Sequence, residues 1–420
     1  MAETSEPRVL IICENASEKM GGEAILPLHY FRFLRRRGIF VKLITHERVS
    51  QELREILGED FMHVYLVSDT PLQKLLHVVS QFLPRRVADV TTRYLISISS
   101  GRRQRRLARG IVKGHSIDVV HQPTPVSPKL PSQIFDVGAP VIIGPMNGGM
   151  TFPRAFRSIP NVSERLAIWL GKTIFPIFHY VIPGKRKARL LLVANERTRT
   201  VLPKSVVGKT RIIQIVENGV DLKLWRKAGD DVVADQEATK FVFLGFLKDW
   251  KGVNFLLYAL KEILKHRKIR LEIIGTGPEE PKLKQLTRQL GLESHVQFLG
   301  FIPQKDCPEH LADARALILP SLYECGGAAV LEAMAMGKPV IATAWGGPLD
   351  YLTPDCGILV TPSSREAFIG GLVEAMSQLS SDADLARRLG EKGFERVKSN
   401  FNWETKIEEM IELYRSVTNE

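Results

Sequence analysis

The 420-residue chain reads as an α/β protein built from two doubly wound, parallel-sheet domains. Three observations carry that reading. Short apolar runs rich in β-branched residues alternate with helix-patterned segments along the chain. The runs lack the polar–apolar alternation of half-exposed strands, so their sheets are buried on both faces, as crossover helices require. They also fall into two series, and the length is ample for two domains.

The first series is RVLIICE, VKLITHE, HVYLVS, DVVHQP, APVIIGP and LLLVANE, and the second is KFVFLGF, IRLEIIG, HVQFLG, ARALILP and KPVIATA. Between them lies Val216–Trp225, where Asn218-Gly219 is a turn signal, so the N-terminal domain is expected over 1–215 and the C-terminal one over 216–402. A last helical pattern follows over 403–420. MAETSEPRVLIICENA has no basic leader and only a short apolar run, so it reads as a first strand and not a signal peptide.

Hydrophobic content of 44% and charged content of 25% are those of a globular protein and exclude a disordered one. The four cysteines, Cys13, Cys307, Cys325 and Cys356, form no C-x-x-C pair. That excludes the usual zinc spacings, gives no sign of a disulfide framework and fits a reduced, cytoplasmic setting. Charge is divided unevenly: residues 1–210 hold 32 Lys and Arg against 16 Asp and Glu, and residues 211–420 hold 26 against 30. The basic half suits an anionic lipid surface, a lipid-phosphate acceptor or nucleic acid.

Two regions break the strand–helix alternation. Residues 71–109 join apolar helical stretches to Arg102, Arg103, Arg105 and Arg106. Residues 154–189 join Trp169, Phe175, Phe178 and Tyr180 to Lys185-Arg186-Lys187 and Arg189. Aromatic and basic residues together suit the inner face of a membrane, although solvated helix faces and core aromatics give the same pattern. The apolar stretch from Leu166 to Gly184 is broken by Lys172, Pro176 and His179; it could lie on a bilayer but not span it. Nucleic acid is not expected, because no nucleic-acid motif accompanies the basic clusters.

The densest chemistry lies in SLYECGGAAVLEAMAMGKPVIATAWGGPLDYL, from Ser321 to Leu352. It reads as strand, glycine turn, helix, strand, glycine turn. Gly326 and Gly327 let a backbone touch a ligand, and a helix starting beside Ala328 offers free N–H groups to a phosphate. Glu324 in the loop can accept hydrogen bonds from sugar hydroxyls, and Glu332, within the helix, can reach a ribose diol.

This spacing resembles the E-x7-E motif of retaining glycosyltransferases of family 4 (glycosyl transferases group 1), which have the two-domain GT-B fold. The resemblance implies two Rossmann-like domains facing a central cleft, a last helix that crosses back to the first domain, and a nucleotide-diphosphate sugar as co-substrate. It extends to other motifs. Gly22, in Glu18-Lys19-Met20-Gly21-Gly22-Glu23, is placed like the family's first glycine loop, at a diphosphate or an acceptor. His121, ending DVVH, is placed like a histidine that contacts the donor sugar. The turn at Gly144–Gly149 is placed on the acceptor side. GFLKDWKG resembles the family's G-R-L-x-x-x-K-G, with Lys251 matching the lysine that clamps the diphosphate. Phe246 stands where the family has arginine, so either another cation such as Lys248 substitutes or leaving-group stabilisation is weaker. Gly275, in the G-x-G-P-like turn Gly275–Pro278, is expected near the nucleotide, and the backbone at Ile302 near the base. No D-x-D pair occurs in a matching context, so no metal and no further cofactor are expected.

The activity so implied is retaining transfer of a hexosyl unit to a glycan or lipid-linked acceptor, with Glu324, His121 and Lys251 at the reacting centre. The rival readings are an inactive binding module on the same fold, for membrane or nucleic acid, and another GT-B enzyme such as a sugar-nucleotide epimerase or a phosphorylase.

Overall fold

The structure, a computed structural model, describes residues 6–83, 87–88, 91–157, 179–225 and 238–418. They form two compact units, one within Met1–Gly149, Pro160–Glu217 and Lys406–Glu420, the other within Met150–Ile159 and Asn218–Thr405. Residues 150–157, assigned by sequence to the first domain, group with the second. Phe156 accounts for this: its ring packs edge-on against Phe255 and Phe368 at 5.4 and 6.0 Å, contacts worth about 0.5–1.5 kcal/mol each beyond burial.

The first unit holds a seven-stranded parallel sheet: β1 (Val9–Ile12), β2 (Val41–His46), β3 (Val64–Val67), β4 (Val119–Gln122), β5 (Val141–Met146), β6 (Leu190–Val193) and β7 (Arg211–Gln214), in the order β3-β2-β1-β4-β5-β6-β7. Val9 pairs with Val41 on one side and Val119 on the other. Every residue of β1, β2, β4, β5 and β6 is buried, which is why β1 and β6 are continuously apolar and β2 and β4 carry only a few polar residues, Lys42, Thr45, His46, His121 and Gln122. Around the sheet lie α1 (Gly22–Arg36), α2 (Ser50–Leu57), α3 (Pro71–Gln81) and α4 (Thr92–His115).

The second unit holds a six-stranded parallel sheet: β8 (Thr239–Leu244), β9 (Ile269–Ile274), β10 (Val296–Gly300), β11 (Ala316–Leu319), β12 (Val340–Thr343) and β13 (Gly357–Val360), in the order β10-β9-β8-β11-β12-β13. Its longer helices are α5 (Val253–Ile263), α6 (Glu280–Leu290), α7 (Ala328–Ala335), α8 (Arg365–Ser381) and α9 (Ala383–Asn400). Both sheets reverse direction of growth at a central strand, β1/β4 and β8/β11, the switch point at which such folds bind ligands.

The last helix, α10 (Trp403–Thr418), starts in the second unit and from Lys406 onward belongs to the first. There Ile407, Met410 and Tyr414 are fully buried. The Lys406 ammonium is buried too, donating to the carbonyls of Val216 and Glu217. Burial holds its pKa down to about 7.

The basic run at 185–189 is largely structural, contrary to the lipid-binding expectation. Lys185 is buried and donates to Ser127 O and Pro128 O at 3.0 and 2.8 Å. Lys187 pairs with Asp136, and Arg186 bonds Tyr180 O. Arg103 and Arg105 likewise donate to the carbonyls of Ser68 and Phe135. Trp169, Phe175 and Phe178 lie outside the described residues.

Candidate active site

In the second unit, two loops at the carboxyl ends of β8 and β11 are fastened together. Leu322 N donates to Trp250 O at 2.7 Å, and Gly252 comes so close to Pro320 that a Cβ there would stand 2.1 Å from its carbonyl oxygen. This docking brings Lys251 and Glu324 into an ion pair, with both side chains mostly buried. The sequence placed both in the site but assigned them to different parts of the ligand; their direct contact comes from the loop docking. An ammonium has three donors, so Lys251 retains hydrogen-bonding capacity beyond the pair.

Glu324 leads into α7. The residue between loop and helix, Gly327, adopts φ +88°, a conformation that favours glycine, and it provides no side-chain cap. The first N–H groups of a helix have no intrahelical partner, so Ala328 and its neighbours present donors and a positive dipole end. A second turn secures the loop: Gly347 N donates to Glu324 O at 2.8 Å.

Glu332 sits one turn inside α7. Its Oε1 accepts from Gln304 Nε2 at 2.8 Å. Burial pushes its carboxyl up to about 7 in spite of that bond. Beside it, the Cys307 thiol is pushed up to about 12 by burial and then by the Glu332 charge, so it is protonated. Gln304 was not selected from sequence: it lies in the short turn after β10, eight residues beyond the start of that strand, and no motif marks it.

The flanking motifs take structural positions. Gly275 N donates to Gly300 O at 2.7 Å, and a Cβ at Gly275 would stand 2.1 Å from Gly245 O. Glycine is needed there for one loop to rest on another. Ile302 O faces the Cys307 thiol at 3.7 Å. Phe246 is exposed, and the Lys248 ammonium lies 5.3 Å from its ring centre and 4.6 Å from that of Trp250. Lys248 therefore sits over an aromatic pair in the loop that carries Lys251.

His121 does not fit a sugar-contacting role. It is fully buried, and both ring nitrogens are engaged within the first unit. Nε2 donates to Gly144 O at 2.6 Å, which leaves Nδ1 to accept from the Tyr414 hydroxyl at 2.8 Å. Tyr30 packs edge-on against the ring at 4.8 Å. Burial lowers its pKa to about 4, so the ring is neutral at pH 7. An unfolded histidine takes a proton near pH 6.5, so its stabilising contribution is present above that and is lost as pH falls toward 4. His121→Ala is expected to cost about 2–4 kcal/mol in urea unfolding. Wild-type stability with lost turnover would restore a reacting role.

The next residue, Gln122, faces the other way and lines a cavity of about 320 Å³ in the first unit. Asn15, Glu23, Tyr94, Gln104 and Gln133 also line it. Asn15 Oδ1 and Gln133 Nε2 are buried with no hydrogen-bond partner among the described residues. Glu23, directly after Gly22 at the start of α1, accepts from Val126 N at 3.0 Å, and burial raises its pKa. Among the described residues no lysine or arginine lines the cavity.

The paired sheets place the molecule among GT-B folds. The chain superposes on sucrose-phosphate synthase from Thermosynechococcus elongatus with a TM-score of 0.70 and 20% identity, over 98% of this chain and 99% of the other. It superposes on Anabaena HepE in complex with UDP with a TM-score of 0.64 and 16% identity, over 97% and 100%. The family model for glycosyl transferases group 1 matches residues 228–396. Among curated relatives, the MMP alpha-(1->4)-mannosyltransferase of Mycolicibacterium hassiacum is 26% identical over 60% of this chain and 61% of its own. A D-inositol 3-phosphate glycosyltransferase of Corynebacterium urealyticum is 32% identical over 42% of each. The chain spans about half the length of the curated relatives it matches.

Proposed function

We propose that the protein is a retaining glycosyltransferase that moves a hexosyl unit from a nucleoside-diphosphate sugar to a hydroxyl of a cell-envelope glycan or glycolipid. The observation that carries this reading is the Lys251–Glu324 pair at the start of α7, with the Glu332–Gln304 pair one turn deeper. A diphosphate at the α7 N-terminus would meet backbone donors and the Lys251 ammonium, both of which strengthen as the leaving group gains charge. Glu332 would take the ribose diol. Glu324, held by Lys251, would orient the sugar. The leaving phosphate would then help to deprotonate the acceptor on the same face. Solved neighbours that hold UDP or UDP-glucose support the donor class.

The cavity in the first unit is the acceptor site in this reading. A carboxyl in the first turn of α1 opposes a diphosphate at Gly22 but suits hydroxyl groups, as do the unpaired amide atoms of Asn15 and Gln133. Removing a buried polar group from water without a partner costs about 1–3 kcal/mol, which a bound hydroxyl would recover.

A second reading, an inactive binding module, draws on Phe246 at the family's arginine position. A donor-hydrolysis assay over a panel of nucleoside-diphosphate sugars decides between them. Release of free sugar from one donor, abolished by Glu324→Ala, is the expected result. Binding of nucleotide without hydrolysis or transfer from any donor would favour the binding module.

A further inference from the structure

One side of the first unit carries its polarity inverted. α3 is begun by a capping box, Thr70 with Gln73, and Pro71 at its first position. Its polar residues Gln73 and Ser80 face inward, Gln73 Nε2 donating to Ile96 O of α4 at 3.3 Å. Its apolar residues face outward: Leu72, Leu75 and Val78 are 61, 59 and 52% exposed, and Phe82, just past the helix, is 83% exposed. Leu95, at the start of the neighbouring α4, is also exposed. A contiguous apolar strip of this size on an otherwise soluble unit marks an interaction surface.

Further along α4, Arg102, Arg106, Arg109 and Lys113 stand at i, i+4, i+7 and i+11, one exposed line on one face. Arg102, Arg106 and Lys113 form no ion pair among the described residues. Apolar side chains beside the exposed cations Arg102, Arg106 and Lys113 are complementary to hydrocarbon beneath a layer of negative headgroups. Among the described residues no helix is long and apolar enough to cross a membrane, so such contact lies in the interface plane.

We infer that α3 and the outer face of α4 dock the protein on an anionic lipid bilayer, with Leu72, Leu75, Val78 and Phe82 entering the acyl boundary and Arg102 and Arg106 bound to headgroups. The inner face of α4 lines the cavity through Tyr94 and Ser97. One helix thus separates bilayer from cavity, and a lipid-anchored acceptor could reach the cavity while its chain stays in the membrane. That last step rests on the glycosyltransferase reading; the docking does not.

The test is cosedimentation with phosphatidylcholine vesicles, with and without phosphatidylglycerol, at low and high salt. Wild type should bind the anionic vesicles, be partly released by salt, and bind neutral vesicles poorly. Arg102→Gln with Arg106→Gln should reduce partitioning about 30-fold at low salt and remove most of the salt dependence. Leu75→Ser with Phe82→Ser, both at exposed positions and checked for unchanged melting, should weaken binding at either salt. Donor hydrolysis should be unchanged in both variants, and its absence in wild type would count against the glycosyltransferase reading alone. No preference for anionic vesicles, or binding that neither variant alters, overturns the inference. So does a wild-type dimer that the serine variant converts to monomer in sedimentation equilibrium, which would assign the strip to a second copy of the chain.

Discussion

Lys251→Ala is expected to lower turnover by about two to three orders of magnitude while changing donor affinity far less, the usual cost of removing one preorganised donor from developing charge. In the proposed reading this contact would strengthen only as the bond to the diphosphate breaks, so its loss would fall on kcat. The ion pair adds a second route, because Lys251 also holds Glu324. A double-mutant cycle separates the two. If Lys251 acts only by orienting Glu324, then Lys251→Ala combined with Glu324→Ala will be no slower than the worse single variant. If it also contacts the diphosphate, the double variant will be slower than either. Steady-state kinetics on the three proteins checks this, and a wild-type rate for Lys251→Ala would sink the assignment.

Glu332→Ala should weaken nucleoside-diphosphate binding by about 1.5–3 kcal/mol, roughly 10- to 150-fold, through loss of a charge-assisted hydrogen bond. The raised pKa predicts two further effects. Between about pH 4.5 and about 7 the folded protein keeps a proton on Glu332 that the unfolded chain has lost, so stability declines as pH rises through that window. Glu332→Gln should therefore melt higher than wild type at about pH 8 and no higher at about pH 4. Binding should follow the opposite course. The ionised carboxylate is the better acceptor for a diol, so wild type should bind nucleotide more tightly relative to Glu332→Gln as pH rises past about 7. Calorimetric titrations of both proteins across pH test this, and parallel pH profiles would remove Glu332 from the site.

The two sheets were legible because strands of a parallel sheet buried on both faces read as mainly apolar runs, and β1, β2, β4, β5 and β6 are buried along their whole length. β7, RIIQ, and β13, GILV, escaped notice. Both are four-residue strands at sheet edges, and β7 is open to solvent at both ends. Glu324 and Glu332 were singled out by their spacing and Lys251 by the resemblance of its loop. The contact between Lys251 and Glu324 was not legible, since it depends on two loops some seventy residues apart. His121 was misjudged for a physical reason. A strand end points toward the ligand side of a sheet, but successive side chains turn to opposite faces. His121 turns toward Tyr30 and Tyr414, and Gln122 toward the cavity.

The placement of α10 bears on how the protein is made. The first unit contains Tyr414, which satisfies His121, and Lys406, which ties down Val216 and Glu217. These residues are synthesised only after the whole second unit. At about 5–20 residues per second, the ribosome leaves the first unit without this helix for on the order of tens of seconds. During that interval the face that receives Ile407, Met410 and Tyr414 is open, and the nascent chain needs protection there until the last helix emerges.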